Sequence, residues 1–165
     1  MKPSDATGVA ALQVECWRKA YAGIIPEKYL ASMSVDSKAK LLENGLAAND
    51  DVLRFVALEK NVLMGFIAGL ENRSLSFYPD VSCEAWSIYV HPDQWKKGIG
   101  KLLIQNFMEE MKKKNHKSML VWALEENMTG RGFYEAMGGK LRDQKQTVTY
   151  GGKHLVEVAY SFQLQ

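Results

Sequence analysis

The sequence has little of several residue types that mark particular classes of protein. Its 165 residues include only two cysteines and three histidines. Cys16 and Cys83 are far apart and fit neither a metal-ligand nor a CxxC spacing, so free, buried thiols in a reducing compartment are expected. His91, His116 and His154 are too scattered along the chain for a recognisable metal site or Ser-His-Asp arrangement. We therefore assign no metal.

Long hydrophobic runs and an excess of one charge are also lacking. No apolar stretch approaches the ~20 residues that a bilayer-spanning helix needs, and the first residues, MKPSDATG, lack the apolar core of a signal peptide. The chain carries 21 basic and 19 acidic residues, a net charge of +2, which gives no reason to expect nucleic acid as the main partner. These features predict a cytoplasmic protein with neither nucleic acid nor a membrane as a partner.

Hydrophobic periodicity predicts one α/β domain over residues 1–165, since 47% hydrophobic residues suffice for a sizeable core. Helices are predicted over 5–21 and 26–33, from Asp36, and over 98–114 and 127–137. Strands are predicted over 52–59, 62–71, 83–90, 119–124, 141–150 and 154–162, and residues 72–82 are predicted to form a loop. This order, with a helix between the third and fourth strands, is typical of a domain built around a mixed sheet.

One stretch points to a ligand. The predicted strand 83–90 leads through a His-Pro-Asp turn to Lys96, Lys97 and a Gly-Ile-Gly that opens a helix. The N–H groups at a helix N-terminus lack intrahelical partners and attract anions, so a phosphate-rich ligand is the first hypothesis. The spacing fits neither the nucleotide P-loop nor the dinucleotide fingerprint. An ordinary strand-to-helix turn remains an alternative for the two glycines alone.

Three blocks of sequence resemble the GNAT superfamily of acyl-CoA-dependent N-acetyltransferases. The first is the loop from Trp95 to Gly100, in which Trp95 replaces the usual Gln or Arg and Lys96 a frequent glycine. The second is 119–139, where Asn127, Phe133, Tyr134 and Gly138-Gly139 occupy matching positions and Gly130 stands where alanine is common. The third, at the N-terminus, comprises Trp17, Tyr21, Gly23 to Pro26 and Tyr29-Leu30.

The resemblance implies a mixed, mainly antiparallel twisted sheet flanked by helices, and acetyl-CoA as the acyl donor. In the family the loop holds the pyrophosphate, and the strand before it pairs its backbone with the pantetheine arm. The resemblance therefore implies that the cofactor-binding residues are Ile88, Tyr89, Val90, Trp95, Lys96, Lys97, Gly98, Ile99, Gly100, Lys101, Asn127 and Phe133.

The resemblance also implies two catalytic residues. Glu84 stands where many relatives carry a base, often acting through water, although a strand-end glutamate in solvent or paired with a lysine is the alternative. Tyr134 matches the general acid near the CoA sulfur, and its alternative is a core aromatic residue. The predicted reaction is direct transfer to a primary amine of a small molecule or peptide, and the rival is a non-catalytic acyl-CoA-binding module. Trp17, Tyr21 and Tyr78 suggest an aromatic-lined mouth for the acceptor, and a core position is the equal alternative for each of them.

A further expectation concerns the first strand. Relatives of this group usually begin with a strand that ends a few residues before Asp5, but only Met1 to Ser4 precede it here, too few for a normal strand. The first strand is therefore expected to be missing or truncated. The apolar segment 52–58 would then be an edge of the sheet, which invites pairing with another chain. We predict a homodimer or a covering segment at this edge.

Overall fold

The helices and strands lie close to their predicted positions. A computed structural model describes residues 1–48, 51–71 and 78–164, with the side chain of Glu71 excepted. After a short turn at Pro3–Asp5, the helices are α1 (Ala6–Ala20), α2 (Glu27–Ser32), α3 (Val35–Ala47), α4 (Ile99–Lys113) and α5 (Met128–Ala136). The strands are β1 (Leu53–Glu59), β2 (Val62–Glu71), β3 (Cys83–Val90), β4 (Ser118–Leu124), β5 (Lys140–Tyr150) and β6 (Lys153–Gln163). Most of the predicted 72–82 loop lies outside the described residues.

The strands form one six-stranded sheet in the order β1-β2-β3-β4-β6-β5. All neighbouring pairs are antiparallel except β3 and β4, which are joined through α4 and run parallel. The predicted mixed, mainly antiparallel sheet flanked by helices is therefore confirmed.

The two faces of the sheet bury different helices. On one face α4 places Leu103, Ile104, Phe107 and Met111 in the largest core cluster, and α5 adds Tyr134. A helix with apolar residues at this spacing buries one continuous stripe. On the other face, residues of α1 pack against Phe66, and residues of α2 pack against Leu124 and Leu155. None of the helices in the described part of the chain is both long and apolar enough to cross a bilayer.

The strands β3 and β4 pair over a very short length. Their register contains only Cys83 opposite Met119 and Glu84 opposite Leu120. The pairing of β2 with β3 shifts immediately after this point, since Gly69 lies opposite Ala85 and Ala68 opposite Ser87. Trp86 is thus an extra residue, and a β-bulge bends the strand that carries it. The remainder of β3 leaves β4, and a gap opens between the two strands.

The strand β1 is an edge of the sheet, as predicted, and in the described residues no strand precedes α1. The amino group of Met1 donates to the carbonyl of Arg54 at 3.3 Å, which covers one backbone acceptor of this edge. Next to the edge, Leu58 and Val62 are 54% and 58% exposed. An apolar edge of this kind can pair with another chain, so a homodimer stays a prediction.

We expect light scattering to find a dimer, and Leu58→Lys to weaken it by about tenfold, equivalent to ~1.4 kcal/mol. Each copy would bring a lysine to the shared edge, where like charges repel. The control is Leu41→Lys on α3, because Leu41 is 71% exposed but far in sequence from the edge. A parent protein that is monomeric at high concentration would refute the prediction.

Candidate active site

A single cleft occupies the gap between β3 and β4. It encloses about 850 Å³ and is lined by residues of α1, β3, the loop before α4, β4, α5 and the β5–β6 hairpin. Nine of its described lining residues are aromatic: Trp17, Tyr21, Trp86, Tyr89, Trp95, Trp122, Phe133, Tyr134 and Tyr150. A concave site of this size with a few polar groups is what a small-molecule or cofactor site requires.

One end of the cleft is the glycine loop. Gly98 is the N-cap of α4 with a φ of 84°, and the first intrahelical bond is donated by Leu102 to the Gly98 carbonyl. The N–H groups of Ile99, Gly100 and Lys101 therefore precede the helical ladder and are free to bind an anion. Lys96 and Lys101 line this end of the cleft as well. The arrangement suits a pyrophosphate.

Two features of the loop explain its departures from the family pattern. Lys96 has a φ of 62°, in the left-handed region that a glycine enters without cost, so the frequent glycine at this position has a conformational reason. The indole Nε1 of Trp95 donates to the carbonyl of Val90 at 2.8 Å. Trp95 thereby closes the turn between β3 and the loop instead of offering a side-chain donor to the cofactor.

The two loop glycines are required for different reasons. A Cβ on Gly98 would meet no described atom within 4 Å, so only its positive φ restricts the residue. A Cβ on Gly100 would lie 3.1 Å from the ring of Phe133, so this glycine allows α5 to pack against the start of α4. Lys97 and Ile99 do not line the cleft: Lys97 is exposed and donates to Gln94, and Ile99 packs against the main core.

The backbone of β3 faces the gap beyond the bulge. Ile88, Tyr89 and Val90, predicted to pair with the pantetheine arm, all line the cleft and have no partner in the described part of β4. The carbonyl of Val90 already accepts from Trp95 and from the thiol of Cys16 at 3.2 Å. A strand-like ligand would therefore use chiefly the backbone groups of the two preceding residues.

The side chain of Tyr134 reaches the cleft from α5. It is 8% exposed and packs between Phe133 and Tyr160. No described group hydrogen-bonds to its hydroxyl, and among the described residues no side-chain polar atom is both fully buried and without a partner, so the hydroxyl keeps access to the cleft. Burial raises the pKa of Tyr134, and coupling to Tyr89 raises it further. The phenol is therefore neutral at ordinary pH.

A small hydrogen-bonded network holds Tyr89 in the wall of the cleft. The indole Nε1 of Trp17 donates to the Tyr89 hydroxyl at 2.8 Å, and the Tyr21 hydroxyl is bonded to it as well. Burial raises the pKa of all three tyrosines, Tyr21, Tyr89 and Tyr134. Since the bond from Trp17 joins α1 to β3, the network fixes the position of the first helix relative to the cleft.

Asn127 is the N-cap of α5, and its Oδ1 accepts from the N–H of Gly130 at 3.0 Å. A Cβ on Gly130 would lie 2.6 Å from the Asn127 amide nitrogen. Gly130 thus replaces the family's common alanine because the capping side chain occupies that space. Asn127 also lines the cleft, so both roles considered for it, cap and cofactor contact, are compatible with its position.

We expect Asn127→Ala to lower the free energy of unfolding by about 1 kcal/mol, the usual cost of losing an N-cap. Asn127→Asp keeps the cap, but it replaces the amide N–H donor with a negatively charged oxygen. Chemical denaturation measures the first effect, and titration with acetyl-CoA separates the second, with Asn44→Ala on α3 as a control. An alanine variant as stable as the parent would exclude the capping role.

The aromatic mouth is formed by a different set of residues from the one expected. Trp17 and Tyr21 line the cleft, and Tyr150 packs edge-on against Trp17 at a centroid distance of 5.3 Å. Tyr78 is 4% exposed and packs against Trp122 and under Arg142 instead. Its hydroxyl bonds to the backbone of Gln144. Tyr78 is therefore a core residue, and its hydrogen bonds connect the segment before β3 with strand β5.

Two carboxylates belong to the strands on either side of β4, on the face of the sheet that carries α1 and α2. Glu84 is only 4% exposed and does not line the cleft, although it interacts with other groups of the protein. Glu157 of β6 does line the cleft and accepts from Nε2 of Gln146 at 2.8 Å. Burial raises the pKa of Glu157 and the charge of Glu84 raises it further, while the Gln146 bond opposes the rise. Sequence reasoning missed Glu157 because it lies in an ordinary alternating strand.

The sequence model of the acetyltransferase (GNAT) family matches residues 12–139. The chain belongs to this family. It is 31% identical over 150 residues to the spermidine N(1)-acetyltransferase of Thermoplasma acidophilum, with 88% of this chain and 86% of the relative aligned. The predicted family and the predicted class of enzyme, an acetyltransferase, are thus confirmed.

Solved structures of acetyltransferases have the same fold as this chain. The PaiA N-acetyltransferase of Thermoplasma acidophilum, crystallised in complex with coenzyme A, superimposes with a TM-score of 0.75 at 26% identity, covering 95% of this chain and 94% of its own. A GCN5-related N-acetyltransferase from Rhodopseudomonas palustris has the same fold, with a TM-score of 0.76 at 24% identity and coverage of 99% and 92%. The coenzyme A complex agrees with the prediction that acetyl-CoA is the acyl donor.

Proposed function

We propose that the protein transfers the acetyl group of acetyl-CoA directly to a primary amine of a small molecule. The observation that carries this proposal is the hydroxyl of Tyr134, which has no described hydrogen-bond partner and reaches a cleft that begins at an anion-binding loop. The similarity to a spermidine acetyltransferase supports a small amine as the acceptor. The two buried thiols fit a reducing, cytoplasmic setting.

Different parts of the cleft would bind different parts of acetyl-CoA. The N–H groups at the start of α4, with Lys96 and Lys101, would hold the pyrophosphate. The unpaired backbone of β3 and Asn127 of α5 would align the pantetheine arm in the gap. Acetyl-CoA supplies the activated acetyl group there, and the amine attacks the thioester carbon as the C–S bond breaks. Holding both reactants in one cleft makes the attack effectively unimolecular.

Tyr134 would stabilise the departing sulfur. A thiol has a pKa of about 8.5, well below that of the buried Tyr134 phenol, whose pKa burial raises. Tyr134 therefore cannot favourably transfer its proton completely to a fully formed thiolate. Tyr134 donates a hydrogen bond as negative charge develops on the sulfur, and the proton moves only as far as that charge requires.

The amine must lose a proton during the reaction, and Glu84 is the proposed acceptor of that proton. Its burial at the point where β3 and β4 separate puts it behind the wall of the cleft rather than in it. Glu84 would therefore act through an intervening water. This agrees with the family's use of a base that acts through water.

A covalent acyl-enzyme is not supported. Cys16 lines the cleft, but burial raises the pKa of its thiol to about 12, and its Sγ donates to the carbonyl of Val90. Burial raises the pKa of Cys83 to about 12 as well. Since the thiolate is the nucleophilic form of cysteine, neither residue is suited to a ping-pong route.

The function is tested by titrating the protein with acetyl-CoA and then measuring thiol release with a panel of primary amines. The proposal expects binding of acetyl-CoA and release of thiol that depends on the amine. The alternative, a non-catalytic acyl-CoA-binding module, expects the same binding without amine-dependent release, and failure to bind acetyl-CoA would refute both.

A further inference from the structure

The charges that line the cleft are separated by sign. Among the described lining residues the charged side chains are Lys96 and Lys101, at the glycine loop, and Glu157, in the β5–β6 wall. The cationic end suits the phosphates of the cofactor. The opposite wall presents a carboxylate beside Trp17, Tyr21 and Tyr150, and this combination attracts a cation.

We propose that Glu157 is the specificity-determining residue for the acceptor, and that it binds a second cationic nitrogen of an aliphatic diamine or polyamine. This inference rests on the proposed acetyltransferase function and names the chemical class of its acceptor. One amino group would reach the thioester near Tyr134, while Glu157 holds the ammonium at the other end of the molecule. The hydrocarbon between the two nitrogens would lie against the aromatic wall.

The location of Glu157 explains why it binds rather than catalyses. Its pairing partner in β4 is Leu124, at the end of that strand, whereas Glu84 lies opposite Leu120, where β3 and β4 still touch. The separation of four residues along β4 corresponds to about 13 Å at the ordinary rise of a strand. Glu84 thus lies at the closed end of the gap and Glu157 near its open end.

The surroundings of Glu157 strengthen its attraction for a cation. A half-buried carboxylate is poorly screened, so an ammonium ion gains more from it than from one in bulk water. Gln146 of β5 satisfies one carboxylate oxygen at 2.8 Å and leaves the other available. The charge of Glu84 adds negative potential at the same wall.

The aromatic rings fit the remainder of such an acceptor. Trp17 packs edge-on against both Tyr21 and Tyr150, at centroid distances of 5.0 and 5.3 Å. Lys38 already places its ammonium 5.4 Å from the centroid of Trp17, so this ring accepts a cation in the protein itself. Methylene groups and ammonium ions both bind well to aromatic faces.

The titratable groups around Glu157 define how binding depends on pH. Glu84 on β3 and Tyr150 on β5 are electrostatically coupled to it, and α1 adds Tyr21 to the same cleft. Strand β4 contributes only uncharged residues to the cleft, Val121, Trp122, Ala123 and Leu124. Burial raises the pKa of Tyr150 to about 12 and that of Tyr21 well above its usual value. Both phenols stay neutral, so the loss of the Glu157 charge is what weakens cation binding as the pH falls.

The test compares 1,4-diaminobutane with 1-aminobutane, which has the same chain length but no second nitrogen. The parent protein should prefer the diamine, and Glu157→Gln should raise KM for the diamine at least about tenfold, the scale of losing a hydrogen bond to a charged group. Its kcat for the diamine, its kinetics with the monoamine and its affinity for acetyl-CoA should stay within about twofold of the parent. Glu59→Gln, a remote strand-end carboxylate that is exposed, is the matched control.

The alternative outcomes are distinguishable. A Glu157→Gln variant that keeps the preference for the diamine would overturn the inference. An equal loss of kcat for both amines would also overturn it, because Glu157 would then act on the chemistry or the fold. A parent protein that binds acetyl-CoA but acetylates no amine would refute the proposed function, and the inference with it.

A second variant tests the same role through pH. The bond from Gln146 lowers the pKa of Glu157, so Gln146→Leu should raise that pKa further. Because only the ionised carboxylate binds an ammonium ion, KM for the diamine rises as the pH falls through this pKa. The rise should therefore begin at a higher pH in Gln146→Leu than in the parent, with no such change for the monoamine. Identical pH profiles of the two proteins would contradict the inference.

Discussion

Tyr134→Phe should lower kcat by about 10²-fold or more, the usual range for removing a positioned acid, while the affinity for acetyl-CoA stays nearly unchanged. In the proposed mechanism the hydroxyl acts on charge that develops only as the C–S bond breaks, so its contribution is to the transition state and not to the bound substrate. Single-turnover measurements of thiol release, combined with an acetyl-CoA titration, separate the two quantities.

The Tyr134→Phe variant should change catalysis without changing the stability of the fold. No described group bonds to the Tyr134 hydroxyl, so its removal leaves no buried partner unsatisfied, and the free energy of unfolding should change by less than about 0.5 kcal/mol. Tyr29→Phe is the matched control, because Tyr29 packs against Tyr150 and does not line the cleft. Parental kcat in Tyr134→Phe would remove the residue from the mechanism.

The second large effect is expected in the loop. Gly98→Ala should weaken acetyl-CoA binding by about tenfold, because a residue with a Cβ resists the φ of 84° by about 1–2 kcal/mol, and ~1.4 kcal/mol corresponds to a factor of ten. The backbone of the variant relaxes by rotating the N–H groups away from the pyrophosphate. Isothermal titration of acetyl-CoA measures the loss. The change in stability should be modest, since no described atom lies within 4 Å of the added Cβ.

Gly23→Ala supplies the control for backbone strain. Gly23 has a φ of 78° and also has no described atom within 4 Å of an added Cβ, but it lies between α1 and α2, away from the loop. The two variants should lose similar stability, and only Gly98→Ala should lose affinity for acetyl-CoA. Equal affinities in both variants and the parent would show that the loop does not bind the pyrophosphate.

Gly100→Val tests the other requirement of the loop. The added side chain meets Phe133, whose ring lies 3.1 Å from the Cβ position, so it forces α5 away from α4. Overpacking of this kind costs about 1–3 kcal/mol, and Phe133→Leu in the same chain should recover part of that stability. If Gly100→Val is as stable as the parent, the contact between the helices does not explain this glycine.

Much of the site was accessible from the sequence because its signals are local. The strand, the Pro-containing turn and the glycines of the loop are contiguous in the chain, and each has a conformational meaning that a single sequence displays. The same holds for Asn127 as a cap and for Tyr134 on the short helix that it begins. The order of strands and helices followed from periodicity and turn residues for the same reason.

The tertiary structure decided the features that depend on residues distant in sequence. The gap between β3 and β4 depends on a register shift opposite Gly69, which no local pattern reveals. The side chains of Lys97 and Ile99 do not line the cleft, because successive side chains around a helix N-terminus point to different sides.

The residues of the proposed acceptor site also depend on contacts between segments that are distant in sequence. Sheet pairing brings Glu157, at the far end of the chain, beside residues of α1 and β3, whereas Tyr78 is held in the core by β5. Local patterns determined the family, the loop and the tyrosine for which we propose a role at the CoA sulfur. Only the packing of remote strands determined which carboxylate and which aromatic rings face the acceptor, since such contacts depend on the whole sheet and not on any one segment.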